Sequence, residues 1–268
     1  MSSTSLVIKD WSAWMPGVSS TQAWQAWADG DLEPQPDEQP DVSSIPPMLR
    51  RRLSSLGKMA LSVAFPLLKG LDTDTAFVFS SRHGELGRTV GLLNSLADQE
   101  PLSPTQFSLS VHNAIAGVLS IATKNTSSIT ALSADLSSTL LEAVAIMDEQ
   151  SYQQILCVVY DEPVPEIYAS LETSPDRPFA IAFLLTASTL SGIDQPGVSG
   201  GQPLSFSICK NPALPASPSA ANVVNEPPPL SFLKFLLNPG VKELTLPGVR
   251  HSWHWTKADR GINVSQTQ

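Results

Sequence analysis

Two serines, Ser133 and Ser199, and four histidines are the residue types in this sequence that could support nucleophilic chemistry. Ser133 follows the β-rich run Ser128 to Leu132 and precedes a helical segment marked by Leu140, Val144 and Met147. A serine also needs a general base within hydrogen-bond reach. The candidates are His83, His112, and the pair His251 and His254 in the late run HSWHW. Residues three apart on a strand point to opposite faces, which argues against His251 and His254 as a metal pair. The non-chemical role for Ser133 is to cap the helix that follows, with Asp135 and Ser137 as competitors.

A second serine has the spacing of a hydrolase elbow, Gly197-Val198-Ser199-Gly200-Gly201. That motif needs a strand before it and a helix after it. Pro196 and Gln202-Pro203 flank it here, so it reads as a loop. No cysteine lies between 81 and 156, which removes thiol chemistry from that stretch. The chain has no glycine-rich phosphate loop and no Cys/His cluster at zinc spacing.

The elements that must position these groups follow from hydrophobic period. Leu6 to Lys9 suits a strand, with Trp11, Trp14 and Trp24 in a Gly/Ser-containing region after it. Residues 29–47 combine acids with prolines and read as an exposed loop. Pro46-Pro47 opens a helix through Leu49, Leu53, Leu56, Ala60 and Val63, stopped by Pro66. Ala76 to Ser80 is β-rich. Glu85 to Ala97 is helical, with Leu86, Val90, Leu93 and Leu96 as its apolar stripe. A long helix from Thr105 to Ala122 carries Phe107, Val111, Ile115, Val118 and Leu119 on one face, with Ala114, Ala116 and Gly117 allowing close approach. Ile155 to Tyr160 and Phe179 to Leu190 are continuous apolar runs, the pattern of strands buried on both faces. Residues 191–203 are Gly/Ser-rich and 211–229 proline-rich, linker-like. Leu204 to Cys209 suits a strand, Phe232 to Leu237 a short helix, and Val249 to Thr256 a last strand, with Trp253 and Trp255 on an outer face. This alternation predicts an α/β layered domain.

The chain of 268 residues, 42% hydrophobic, is large enough for a proper core. A formal charge of −9 argues against nucleic acid and against a basic membrane anchor. Arg50, Arg51 and Arg52 form the compact basic run; its plain reading is a solvated helix face. Two cysteines with no disulfide framework suit a reducing compartment. No signal-like N-terminus or apolar run long enough to span a bilayer is present, so the expected location is cytoplasmic, with no membrane span.

The run SPTQFSLSVHNAIAG, Ser103 to Gly117, resembles the S-P-x-x-F-x-x-S-x-x-N-x-x-A-G helix of β-ketoacyl synthases, with Asn113 and Gly117 in place. The resemblance covers roughly residues 45–190. It implies a thiolase-like layered α/β fold, of which this chain carries the N-terminal half only, a truncated ketosynthase. The family places its nucleophilic cysteine at the turn into the helix containing Glu142-Ala143, and that position is Ser133 here. The family's two catalytic histidines belong to its second half, so the resemblance implies no catalytic residue, no cofactor and no metal. It is similar to the short chain-length-factor proteins of aryl polyene biosynthesis, which pair with an active ketosynthase as a heterodimer. The partners implied are that ketosynthase and, through the complex, an acyl carrier protein, which is itself usually acidic.

Residues expected at the interface or acyl tunnel are Phe107, Val111, His112, Asn113 and Ser133. The ketosynthase-like domain is set at 1–250 and a C-terminal tail at 251–268. Two other readings stay open: a serine-dependent acyltransferase or hydrolase, and a carrier-protein-binding scaffold.

Overall fold

The computed structural model describes residues 3–35, 38–71, 75–170, 177–186, 201–209, 226–248 and 251–258. Its centre is a mixed eight-stranded sheet among the described residues. In chain order the strands are β1 (Thr4–Trp14), β2 (Ala76–Ser80), β3 (Ile129–Leu132), β4 (Gln154–Asp161), β5 (Phe179–Thr186), β6 (Gln202–Cys209), β7 (Glu243–Pro247) and β8 (Ser252–Lys257). They lie in the order β3-β2-β4-β5-β1-β6-β8-β7. β2 pairs in parallel with β3 and β4, and every other pairing is antiparallel.

Helices cover both faces. The helices are α1 (Thr21–Asp29), α2 (Pro47–Arg50), α3 (Ser55–Leu67), α4 (Leu86–Ala97), α5 (Pro104–Ser108), α6 (Ala114–Thr123), α7 (Leu136–Gln150) and α8 (Pro228–Leu237). One core holds residues of α1, α7 and α8, the other residues of α3 and α6. β4 shows why its sequence is apolar throughout. Ile155, Cys157 and Val159 point into the first core, Leu156, Val158 and Tyr160 into the second. Alternation along a strand feeds two layers at once.

Several expectations need correction. The first strand runs on to Trp14, and the helix α1 follows, capped by Ser20 and ended by Gly30 at φ +87°. The helix from Pro47 breaks at 51–54, where Ser54 starts a new helix by accepting from the Gly57 amide at 3.0 Å. Pro66 sits in the last turn of α3, which ends at Leu67. The long helix expected over 105–122 is two helices, α5 and α6. Ser108 Oγ donates to the Pro104 carbonyl at 2.8 Å and Ser110 Oγ to the Phe107 carbonyl at 2.9 Å. Such hydroxyls compete with the helical ladder.

The boundary at 250 also fails. Ser252–Lys257 is an interior strand of the sheet, paired on both sides, so residues 251–258 are not a separate tail. Trp253 and Trp255 are buried, not on an outer face. The ring of Trp255 stacks on Phe206 at 4.4 Å and meets Phe232 edge-on at 4.8 Å. The Ser199 elbow, residues 259–268 and most of the linker lie outside the described residues.

Candidate functional site

The carboxyl ends of β2, β3 and β4 converge with the first turns of α3, α4 and α7. Ser133 lies here, exposed, one residue past β3. Its Oγ donates to the Arg82 carbonyl at 2.7 Å. It does not cap α7. That role belongs to Asp135, whose Oδ1 accepts from the Ser138 amide at 2.9 Å while Oδ2 accepts from the Ser138 hydroxyl at 3.0 Å. The carboxylate occupies the amides that would otherwise favour an anionic nucleophile. A cap of this kind is worth about 1 kcal/mol.

His112 is held by a backbone carbonyl and not by Ser133. Its Nε2 lies 2.6 Å from the Leu132 carbonyl, and a carbonyl only accepts, so Nε2–H donates. The other side of the ring rests on Gly84, at φ +57°, where a Cβ would come within 2.6 Å of Nδ1. Only glycine leaves room for the ring and takes that backbone without strain. His251 and His254 are on the far side of the sheet, at β8, and His254 Nδ1 is 3.3 Å from Thr245 Oγ1. No hydrogen bond joins Ser133 to a histidine among the described residues.

Three carboxylates that sequence reasoning missed brace this end. Asp161 Oδ1 accepts from Ser81 Oγ and from the Arg82 amide, both at 2.9 Å. Glu85 Oε1 accepts from Ser54 Oγ at 2.7 Å, and its Oε2 from Arg88 Nε at 3.0 Å. Glu162 Oε2 accepts from Ser55 Oγ at 2.8 Å. Burial holds all three carboxyl groups above their ordinary range; hydrogen bonds, and cations beside Glu85 and Asp161, only partly offset it, while the neighbouring acids raise Glu162 further. The available signal was position: Asp161 and Glu162 stand at the end of an apolar strand, and Glu85 at the start of a helix. Among the described residues no group of three or more His, Cys, Asp or Glu is arranged to hold a metal ion.

The remaining interface candidates occupy one exposed shelf beside β3. Phe107 is 59% exposed on α5, and Val111 and Asn113 are exposed in the turn before α6. The stripe expected to bury α4 does not. Leu93 is 50% and Leu96 59% exposed, and Leu92 supplies the buried contact. Of the aromatic side chains, all of which are described, Phe107 alone is exposed.

A mixed sheet between helical layers, with a strand–turn–helix that presents a serine, defines the N-terminal layer of a thiolase-like condensing-enzyme fold. The family model for the β-ketoacyl synthase N-terminal domain matches residues 24–256, and the chain belongs to that family. The chain is similar to a solved structure of a ketosynthase in complex with its chain length factor from Xenorhabdus doucetiae. Identity is 30% and the TM-score 0.77, over 94% of this chain and 99% of that one. The ishigamide ketosynthase/chain length factor gives 17% identity and a TM-score of 0.54, over 69% of this chain and 63% of that one. A β-ketoacyl synthase from Burkholderia phymatum gives 11% and 0.57, over 87% and 70%. The last two are alike in fold alone. No curated protein matches in sequence. Among the described residues no helix is long and apolar enough to cross a membrane.

Proposed function

We propose that this chain is a non-catalytic chain-length factor that pairs with an active β-ketoacyl synthase and completes the wall of its acyl tunnel. The turn at Ser133 carries the reading. The position of the family's thiol holds a hydroxyl, the hydroxyl is spent on the Arg82 carbonyl, and Asp135 fills the helix terminus behind it. A group so placed has neither the base nor the anion site that acyl transfer requires. The near-equal length of this chain and the one it matches in the ketosynthase–chain length factor complex supports the same role.

Pairing runs through the free edge of β3. The Phe77 amide donates to the Ser128 carbonyl and the Ser81 amide to the Leu132 carbonyl. By alternation the backbone groups of Ile129 and Ala131 face away from β2, toward a partner strand. Phe107, Val111, His112, Asn113 and Ser133 form the contact surface and tunnel wall beside that edge. Phe107, a rigid exposed aromatic, is the anchor. Side-chain bulk there biases product length, since a methylene or two of room changes binding by about 1–3 kcal/mol. The product class that follows from the resemblance is an aryl polyene, the carrier protein reaches the site through the complex, and the two free cysteines suit the cytoplasm.

Co-expression with a ketosynthase tests the reading. A stable complex forms, and intact mass after incubation with acyl carrier protein shows the acyl group on the ketosynthase alone. An acyl adduct on this chain that disappears in Ser133→Ala, or elongation by this chain by itself, overturns it in favour of a serine acyltransferase.

A further inference from the structure

We propose that the cleft between α1 and α8 is a binding site for a free α-amino acid with an apolar side chain, held by its two opposite charges at the rim and by its side chain on the floor. The site is built around the end of β1 and the start of α8, apart from the edge at β3, and does not depend on the pairing role proposed above.

The cleft has a volume of about 340 Å³, within the range of small-molecule pockets. Its floor is apolar. Met15, just past the end of β1, Trp27 of α1 and Leu230 of α8 are all buried there. Local bonds fix its shape. Trp27 meets Trp24 edge-on with 5.2 Å between ring centres, and Trp24 Nε1 donates to the Ala13 carbonyl at 2.9 Å. Met15 and Val18 exchange backbone hydrogen bonds at 3.1 and 2.9 Å. At the end of α1 the Gly30 amide donates to the Trp27 carbonyl at 3.1 Å and the Asp31 amide to the Ala26 carbonyl at 2.8 Å. That closure sets the direction in which Leu32, Glu33 and Pro34 leave the helix to form a wall of the cleft. A cleft formed before its ligand arrives lowers the ordering cost of binding.

Four charged residues line the cleft, two of them satisfied and two not. Lys234 Nζ donates to Glu226 Oε1 at 2.7 Å and lies 4.2 Å from the centre of the Trp27 ring. Glu226 Oε2 accepts from Ser231 Oγ at 3.2 Å. This pair closes one wall and adds no net charge. Glu33 and Arg177 are exposed, have no hydrogen-bond or ion-pair partner among the described residues, and do not pair with each other. An unpaired acid and an unpaired guanidinium beside an apolar hollow suit a ligand that carries both charges. The guanidinium takes a carboxylate through two parallel hydrogen bonds. The Glu33 carboxylate takes the ammonium, and the side chain of the same molecule enters the hollow over Met15 and Leu230. Other classes fit less well. A phosphorylated ligand meets Glu33 and Glu226 beside the same cations, and like charges repel. A plain hydrocarbon strips water from Glu33 and Arg177 and supplies no partner for either.

Isothermal titration calorimetry of the full chain with L-phenylalanine tests the site. The expected dissociation constant is about 0.1 mM. N-acetyl-L-phenylalanine, which has no ammonium, and phenethylamine, which has no carboxylate, each bind about tenfold more weakly or worse. Glycine, which has no side chain, gives no heat of binding. Glu33→Gln and Arg177→Gln each weaken L-phenylalanine about tenfold. Circular dichroism and melting temperature stay as in the wild type, because both side chains lie in solvent. In Glu33→Gln the free and the acetylated amino acid bind alike, since the carboxylate that tells them apart is gone. L-phenylalanine that fails to bind the wild type overturns the proposal, as does binding that both variants leave unchanged. The tripeptide Phe-Gly-Gly binding more tightly than the free amino acid overturns it in favour of a peptide terminus.

Discussion

The two edges of the sheet are finished differently. At one end β7 carries Glu243 at its start and Pro247 at its last position. The adjoining core is closed by Trp255, whose Nε1 donates to Ser137 Oγ at 3.0 Å across the molecule. Charge and proline are the usual means by which an edge is kept from pairing with another strand. At the other end β3 reads Ile129-Thr130-Ala131-Leu132, with no charge and no proline. Exposed apolar side chains on α4, α5 and the turns after them are Leu93, Leu96, Leu102, Phe107 and Val111. One edge of the sheet is sealed and the other is left apolar and open to pairing.

The difference is broken most directly by a proline at Ala131, whose amide faces away from β2. Proline is tolerated on a strand edge whose N–H points outward, so Ala131→Pro leaves the fold intact but removes a donor from the pairing edge. Affinity for the ketosynthase falls about 100-fold or more, near 2.7 kcal/mol, by surface plasmon resonance or co-purification. A melting temperature within a few degrees of wild type accompanies it. Full affinity in this variant would move the interface off β3.

Phe107→Ala probes the shelf beside that edge. Truncating an exposed aromatic anchor costs about 2 kcal/mol of pairing and almost nothing in stability, since the ring is not part of either core. With more room in the tunnel, chromatography of the products shifts toward longer chains. Weaker pairing with unchanged lengths would make Phe107 an anchor but not a part of the tunnel.

Much of this division was readable in the sequence, and what was not has a physical cause. The continuous runs at Ile155 and Phe179 could only be strands covered twice, and they are the central strands β4 and β5. The strand-to-helix turn expected around Ser133 is present, with β3 ending at Leu132 and α7 starting at Leu136. The break between α5 and α6 was hidden because Phe107, Val111, Ile115 and Val118 keep helical spacing across it. The serine back-bonds that interrupt the helix leave no mark on hydrophobic period. The α4 stripe misled for a related reason, since spacing reports an apolar face and does not say whether this chain or another covers it. Glu85, Asp161 and Glu162 meet their hydroxyl partners 31, 80 and 107 residues away, beyond any local pattern. Trp253 and Trp255 alternate with His254, a pattern that leaves open which face is the core.

The braced carboxylates give the β3 end a signature in the acid range of pH. Each of the three has its carboxyl raised in the folded chain, chiefly by burial. The protonated forms favour the fold, so stability is highest near the ordinary carboxyl range. It falls as pH rises from there through the folded values, then levels once all three are ionised. Urea midpoints at pH 5 exceed those at pH 7.5 by this contribution. Glu85→Gln keeps the shape, removes one titrating group and narrows the gap. A gap as wide in the variant as in the wild type would remove Glu85 from the account.

The smallest effect belongs to the sealed end. Lys257 on β8 places its ammonium against the last turn of α8, donating to the carbonyls of Phe235 and of Asn238, the latter at 2.6 Å, and lying 4.5 Å from the centre of the Phe235 ring. A cation at a helix C-terminus satisfies carbonyls that have no partner within the helix and opposes the helix dipole. Lys257→Met keeps the stem and removes the charge, costing about 1 kcal/mol by urea denaturation. Ketosynthase affinity is unchanged, because the helix it caps packs on the side of the sheet away from β3. If Lys257→Met weakened pairing as much as Ala131→Pro, the two ends would be coupled through the sheet, and the open edge could not be treated as a surface independent of the sealed one.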